Sequence, residues 1–312
     1  MLRKCFWTKP DRANLIRLLK RIRPQKDIAA YAEHLNQLAR SSSTIEGYAT
    51  ALTAMGAHHR DRGESVPTWS LGNLLRRDAK TAKEKRAAYN LEEMLAVLSN
   101  AASYLEREPG KFWVTALAMF TGARIEEICQ LNLHTDLKQE GEVWYLDIND
   151  KTDPNGASNK RLKNKSSARL VPVHSALIET GLINYLKGLS SSKSQRPFEM
   201  TWLPLVGNRD HPKWSHKIAK WGGRELRKLD HLNKIEKGTL SYFHSFRHSF
   251  DTHLDRQGVP EHRRALLTGH TTGGISSSTY SKVSHDIPLL SALIEDNFEA
   301  YVTILKETRT GQ

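Results

Sequence analysis

The sequence predicts a mainly α-helical protein with one small β-sheet, an α+β fold in two domains. Three observations lead there. Apolar residues recur at helical spacing along most of the 312 residues. Only two short runs, 143–148 and 170–173, read as strands. The stretch RRDAKTAKEKR, from Arg76 to Arg86, is nearly all charged or small and reads either as a solvated helix face or as a basic linker between a short helical region and a longer mixed one. A chain of this length holds about two domains, each able to bury its own core.

The elements follow in order. Residues 1–25 form a basic N-terminal tail, and residues 26–80 a small helical domain. In that domain Ile28, Tyr31, Ala32 and Leu35 give one apolar face. Ser43-Thr44-Ile45-Glu46 reads as a capping box, in which serine and glutamate satisfy free backbone donors reciprocally. Behind it Ile45, Tyr48, Leu52 and Met55 share a core face, and Arg60-Asp61-Arg62-Gly63 with Pro67 marks a turn. Residues 81–90 are a basic linker. A second domain, 91–286, opens with an amphipathic helix carrying Leu91, Leu95, Leu98 and Tyr104. The next helix, with Trp113, Leu117 and Phe120, stops at Thr121-Gly122, and a new one starts at Ala123-Arg124. In the first strand Trp144, Leu146 and Ile148 face one way. A long connection rich in Lys, Asn, Ser and Gly leads to the return strand, with Lys163 and Lys165 where that strand begins. Trp214, Ile218 and Trp221 form a core stripe, which leaves Lys217, Lys220, Arg224 and Arg227 for phosphate contacts. Ile287, Leu290, Leu293, Ile294, Phe298 and Tyr301 keep helical spacing along a tail, 287–312.

Composition narrows the partners. A net charge of +13 and a pI near 9.7 are the footprint of a nucleic-acid-binding protein. Two cysteines, Cys5 and Cys129, cannot build a disulfide framework, and no Cys/His pair has metal-ligand spacing, so a reduced, metal-free interior is expected. The N-terminus lacks the apolar core of a signal peptide and no run approaches a membrane span, so the expectation is a cytoplasmic, nucleoid-associated protein with no membrane partner.

Four segments carry side chains suited to phosphoryl transfer onto a tyrosine: Arg124 in TGARIEE, Lys163 in RLKNKSSARLVP, His244 and Arg247 in HSFRH, and His270 with Tyr280 in LTGHTTGGISSSTY. Two guanidinium forks can clamp one phosphate, imidazoles and an ammonium can move protons, and a phenol can attack. Arg124 follows a glycine break at a helix start, where backbone amides favour an anion. Glu127, one turn on, can orient it or form an ordinary helical pair. His-x-x-Arg also occurs at His59 and Arg62, so the weight rests on order and company rather than on any one motif. Of the neighbouring phenols, Tyr242 and Tyr301 are read as packing residues, and Tyr280, in a small polar stretch, as the nucleophile.

These boxes, in this order, resemble the catalytic domain of the tyrosine recombinases, the superfamily of phage integrases and chromosome-dimer resolving enzymes, over about residues 90–285. The box from His244 to His270, with Arg247, Gly258, Leu267 and Gly269 between, is its most specific part. The region before it is similar to the family's core-binding domain in position, size and a Thr-Ile-x-x-Tyr pattern at Thr44–Tyr48. The resemblance implies a C-shaped clamp on double-stranded DNA and a site-specific recombinase that cuts and rejoins strands through a 3′-phosphotyrosine, with no cofactor. Arg124 and Arg247 would clamp the scissile phosphate and Tyr280 attack it. His244 and His270 would flank it, and Lys163 would protonate the leaving 5′ oxygen. Lys163 lies nine residues before Pro172 and Lys165 seven, whereas the family spacing is about eight, so either hairpin lysine fits and Lys163 is preferred. The tail would dock on a neighbouring protomer, giving a tetramer on paired DNA sites. Two rivals share the fold: a DNA-binding accessory protein without chemistry, and a type IB topoisomerase-like relaxing enzyme.

Overall fold

In the computed structural model the chain divides into two compact units, Met1–Thr81 and Ala82–Gln312. The structure describes residues 30, 33, 42–63, 65, 87–152, 160–164, 167–191, 213–235, 240–270 and 286–310.

In the first unit, helix α1 spans Ser42–Asp61 and ends in a turn where the Gly63 N–H donates to the Arg60 carbonyl at 2.9 Å, with Gly63 at φ +77°. Ser43 is the second residue of this helix, so it is not the cap expected of it. In the run Ser41-Ser42-Ser43 the helix takes up the later serines. Met55 is half-buried; the side chains of Ile45, Tyr48 and Leu52, and residues Ile28, Tyr31, Ala32, Leu35, Pro67 and 76–86, lie outside the described residues.

The second unit is mostly helical around a small sheet. Helix α2, Leu91–Ala102, starts at a capping box one residue ahead of the apolar pattern. The Asn90 side chain accepts from the Glu93 N–H at 2.8 Å, and Glu93 accepts from the Asn90 N–H at 2.9 Å. Its buried face is Met94, Val97, Leu98 and Ala101, whereas Leu91 is exposed and Tyr104 lies beyond the helix end. Helix α3, Pro109–Thr121, begins with proline, whose missing N–H costs nothing there, and every residue from Gly110 to Thr121 is buried. Gly122 closes it in the left-handed region, and a Cβ there would come within 2.7 Å of the Phe250 ring. Arg124 then caps the short helix α4, Ile125–Cys129.

Three antiparallel strands follow, β1 (Leu137–Glu140), β2 (Val143–Ile148) and β3 (Arg169–Pro172), with β2 central. Leu146 and Ile148 are in the core as expected, and Trp144 is half-buried with Lys187 over its ring. The return strand begins at Arg169, so Lys163 lies on the turn before it rather than at its start. Helices α5 (Ser175–Glu179), α6 (Leu182–Ser191), α7 (His216–His231), α8 (Tyr242–Arg256) and α9 (Glu261–Thr268) complete the site-bearing part. Trp214, Ile218 and Trp221 are all buried.

The chain ends in α10 (Ile287–Glu295) and α11 (Glu299–Thr310). Both pack on their own domain, α11 against α2 and α10 against β2 and β3. Phe298 and Tyr301 are fully buried, with Phe298 stacked 5.0 Å from Phe250 and Tyr301 5.8 Å from Phe120. Among the described residues no helix is long and apolar enough to cross a membrane.

Candidate active site

The site is assembled at three chain breaks: the α3–α4 junction, the turn into β3, and the end of α9. Arg247 joins two of them. It projects from α8, is 3% exposed, and donates from Nη1 to the Gly122 carbonyl at 2.8 Å and from Nη2 to the Thr268 carbonyl. Gly122 lies two residues before Arg124, and Thr268 two before His270. One guanidinium thus brings together the backbone on which both other groups sit. Two of its five N–H donors are used this way.

Glu127 joins the first two breaks. Its Oε1 accepts from Arg124 Nη1 at 2.6 Å, while its Oε2 accepts from the Arg124 backbone N–H and from Arg169 Nη2, both at 2.9 Å. Burial alone would raise its carboxyl, but Arg169, with help from Arg124, holds it below the usual carboxylate range. Both roles considered for Glu127 are filled, the helical pair and the orienting contact. Arg124 also reaches the Ser167 hydroxyl at 3.1 Å, and that residue's N–H donates to the Asn164 carbonyl, which draws the Lys163 turn to the same edge.

Arg124 and Arg169 share the Glu127 carboxylate, and Arg247 adds a third guanidinium beside them, with Asp251 the other carboxylate that acts on it. Burial first, then the charges of Arg169 and Arg124, bring Arg247 down to about 9. Burial and the Arg247 charge likewise lower His270, which is exposed and has Nδ1 3.4 Å from the Thr268 hydroxyl. Each of these groups would gain from an anion placed among them.

His244 lies one turn before Arg247 on α8, half-buried, its ring 4.8 Å from that of His248. Lys163 is exposed. Tyr280 and Lys165 lie outside the described residues. The two other phenols weighed for attack are core residues: Tyr242 and Tyr301 are buried, and burial pushes both up from the ordinary phenol value. Lys217, Lys220 and Arg224 are exposed at i, i+3 and i+7 along α7, opposite the buried stripe.

Sequence reasoning missed two cations. Arg169 is buried and donates from Nε to the Leu267 carbonyl at 2.7 Å and from Nη1 to the Ser167 carbonyl at 2.8 Å, besides its pair with Glu127. Lys160 is buried with Nζ 2.9 Å from both oxygens of Asp136 and 2.8 Å from Asn149 Oδ1, pinning the return leg of the hairpin three residues before Lys163. The available signal was position alone: Arg169 opens a strand, and Lys160 reaches back to an Asp just before β1.

Comparison with known proteins bears on the family and the fold. The sequence model described as the phage integrase family matches residues 90–286. Among solved structures, the Tn1549 transposon integrase in complex with transposon right end DNA is 18% identical at a TM-score of 0.55, covering 90% of this chain and 95% of that one. XerH site-specific recombinase bound to palindromic difH substrate is 18% identical at 0.55, covering 86% and 70%. Lambda integrase bound to DNA is 15% identical at 0.52, covering 88% and 86%. No curated protein matches. At these identities the structures speak for the fold.

Proposed function

Because this chain belongs to the phage integrase family, the tyrosine recombinases, we propose that it cuts and rejoins double-stranded DNA at specific paired sites through a 3′-phosphotyrosine. The observation that carries this reading is the gathering of three guanidiniums, those of Arg124, Arg169 and Arg247, where Gly122, Ser167 and Thr268 meet, against the carboxylates of Glu127 and of Asp251, which is already paired with Arg264. A phosphodiester entering there is clamped by Arg124 and Arg247 through its non-bridging oxygens, where negative charge builds as the reaction proceeds.

The Tyr280 phenol attacks phosphorus. It loses its proton to His244 or His270, and the 5′ oxygen leaves with a proton from Lys163, or from Lys165 if the hairpin presents that residue instead. The P–O bond to the 5′ oxygen breaks as the P–O bond to tyrosine forms, so bond energy is kept. A 5′ hydroxyl from another strand reverses the step. No metal or nucleotide enters this sequence. The depressed titration of His270 suits a proton acceptor, because more of it is neutral near pH 7.

DNA is held by phosphate contacts from exposed Lys217, Lys220 and Arg224, which position without reading bases, and the helical region 26–80 makes further contacts with DNA. Strand exchange between two sites calls for four protomers, so the working form is a tetramer on DNA in the cytoplasm. Because 287–310 packs on its own domain, any protomer contact it makes uses its outer faces.

The test is a duplex nicked beside the cleavage point, carrying the site that the protein footprints in the DNA flanking its gene, incubated without magnesium. A covalent protein–DNA band with the wild type and none with Tyr280→Phe is expected. An adduct that survives Tyr280→Phe overturns the assignment. Strand transfer between two labelled sites then separates recombination from simple relaxation.

A further inference from the structure

We propose that Arg169 is a positioning residue for this reaction, holding the Arg124 and His270 sides of the site in register through Glu127 and the Leu267 carbonyl; the proposal rests on the function above. Three of its N–H groups each bond a different segment. Nη2 reaches Glu127, which in turn holds Arg124; Nε reaches Leu267, three residues before His270; Nη1 reaches the Ser167 carbonyl, whose residue's hydroxyl accepts from Arg124.

The side chain is 3% exposed and its Nε, Nη1 and Nη2 are each bonded to a protein acceptor, so the proposal gives the fork a holding role and no contact with substrate. Packing closes the arrangement. A Cβ at Gly269, which sits at φ +67°, would stand 3.1 Å from Arg169 Nη1 and 3.2 Å from its Cδ. The residue directly before His270 is therefore seated on the Arg169 side chain, a fit that needs glycine both for its backbone angle and for the space. Lysine cannot reproduce this, since a single ammonium reaches Glu127 or the Leu267 carbonyl but not both in the geometry of a planar fork.

Displacement of a reacting group by about 1 Å costs on the order of 100-fold in rate. The experiment measures single-turnover adduct formation on the nicked duplex and equilibrium binding to the same DNA, for wild type, Arg169→Lys and Arg169→Met. Both variants are expected to bind DNA within about threefold of wild type and to cleave on the order of 100-fold more slowly. The ring titration of His270, followed by NMR, is expected to move toward its ordinary value in Arg169→Met, which removes one of the charges that depress it, and to stay low in Arg169→Lys. A structural role alone would lower melting temperature in both variants without separating their titrations.

Wild-type cleavage by Arg169→Lys or Arg169→Met overturns the proposal. If Arg169→Met does not fold, Arg169→Lys decides alone, since it keeps the charge. If wild type forms no adduct, or Tyr280→Phe still forms one, the functional reading fails rather than the role of Arg169.

Discussion

Phe298→Ala is the sharpest probe of how the C-terminal helices are built in. The ring is fully buried, 4.6 Å from Tyr301, 5.0 Å from Phe250, 5.1 Å from His253 and 6.3 Å from Phe120. It thus ties α11 to α3 and α8, the helices that lead to Gly122 and carry Arg247. Truncating a packed aromatic to alanine costs about 3–5 kcal/mol in lost transfer energy and residual cavity. The upper half of that range fits, because four aromatic neighbours on three other elements cannot all collapse into the space. For a unit of this size about 2–4 °C is lost per kcal/mol, so the unfolding midpoint of the Ala82–Gln312 unit should fall by roughly 8–20 °C. The assay is a thermal scan at two protein concentrations tenfold apart. A fall of less than about 3 °C would refute packing of α11 on its own domain, as would a wild-type midpoint that rises with concentration, the mark of contacts made between chains. Cutting the chain after Asp286 removes Leu290, Ile294, Phe298, Tyr301 and Leu305 from the same core, so such a truncation should unfold rather than yield a folded protomer that merely fails to assemble.

Other outcomes follow from the site. Gly122→Ala forces alanine to φ +58° and its methyl into Phe250, costing at least about 1–2 kcal/mol in denaturant unfolding. Lys160→Met leaves Asp136 buried without its cation, a loss of about 3–5 kcal/mol in denaturant unfolding. His270 should titrate below 6.5, and inorganic phosphate should raise its midpoint by favouring the charged ring; a midpoint unmoved by phosphate would contradict an anion site there. Because its folded form favours the neutral ring, His270 withdraws stability as pH falls below 6.5. Glu127, held low, contributes stability that is full above the ordinary carboxylate value of 4.5 and is lost as pH falls through its depressed folded value. Glu127→Gln should therefore flatten the acid limb of the stability curve.

Much of this was legible in the chain. Thr121-Gly122-Ala123-Arg124 announced a helix break followed by a cation, because only glycine takes the left-handed angle cheaply, and the Trp214, Ile218, Trp221 spacing could serve only one face. Strand β1 was invisible: Leu137-Lys138-Gln139-Glu140 is half-exposed at a sheet edge and has no apolar alternation to betray it. The Asn90 cap stands outside the apolar pattern, which opens at Leu91, an exposed residue. Arg169 and Lys160 were hidden for a different reason. Buried cations are rare, their partners lie far away in sequence, and nothing local separates them from solvated neighbours.

The bonds of Arg247 to Gly122 and Thr268 bear on how this protein should be disarmed in the laboratory. A residue that ties two carbonyls from opposite sides of a core is also a rivet, and removing it leaves both acceptors buried and unmatched. An inactive variant made at that position would confound lost chemistry with loosened architecture, and complexes trapped with it would carry a deformed pocket. Under the proposed chemistry, removal of one hydroxyl at Tyr280 deletes the attacking atom while the bonds of Arg247 to both carbonyls keep their donor, which makes it the sounder blank for capturing the protein on DNA.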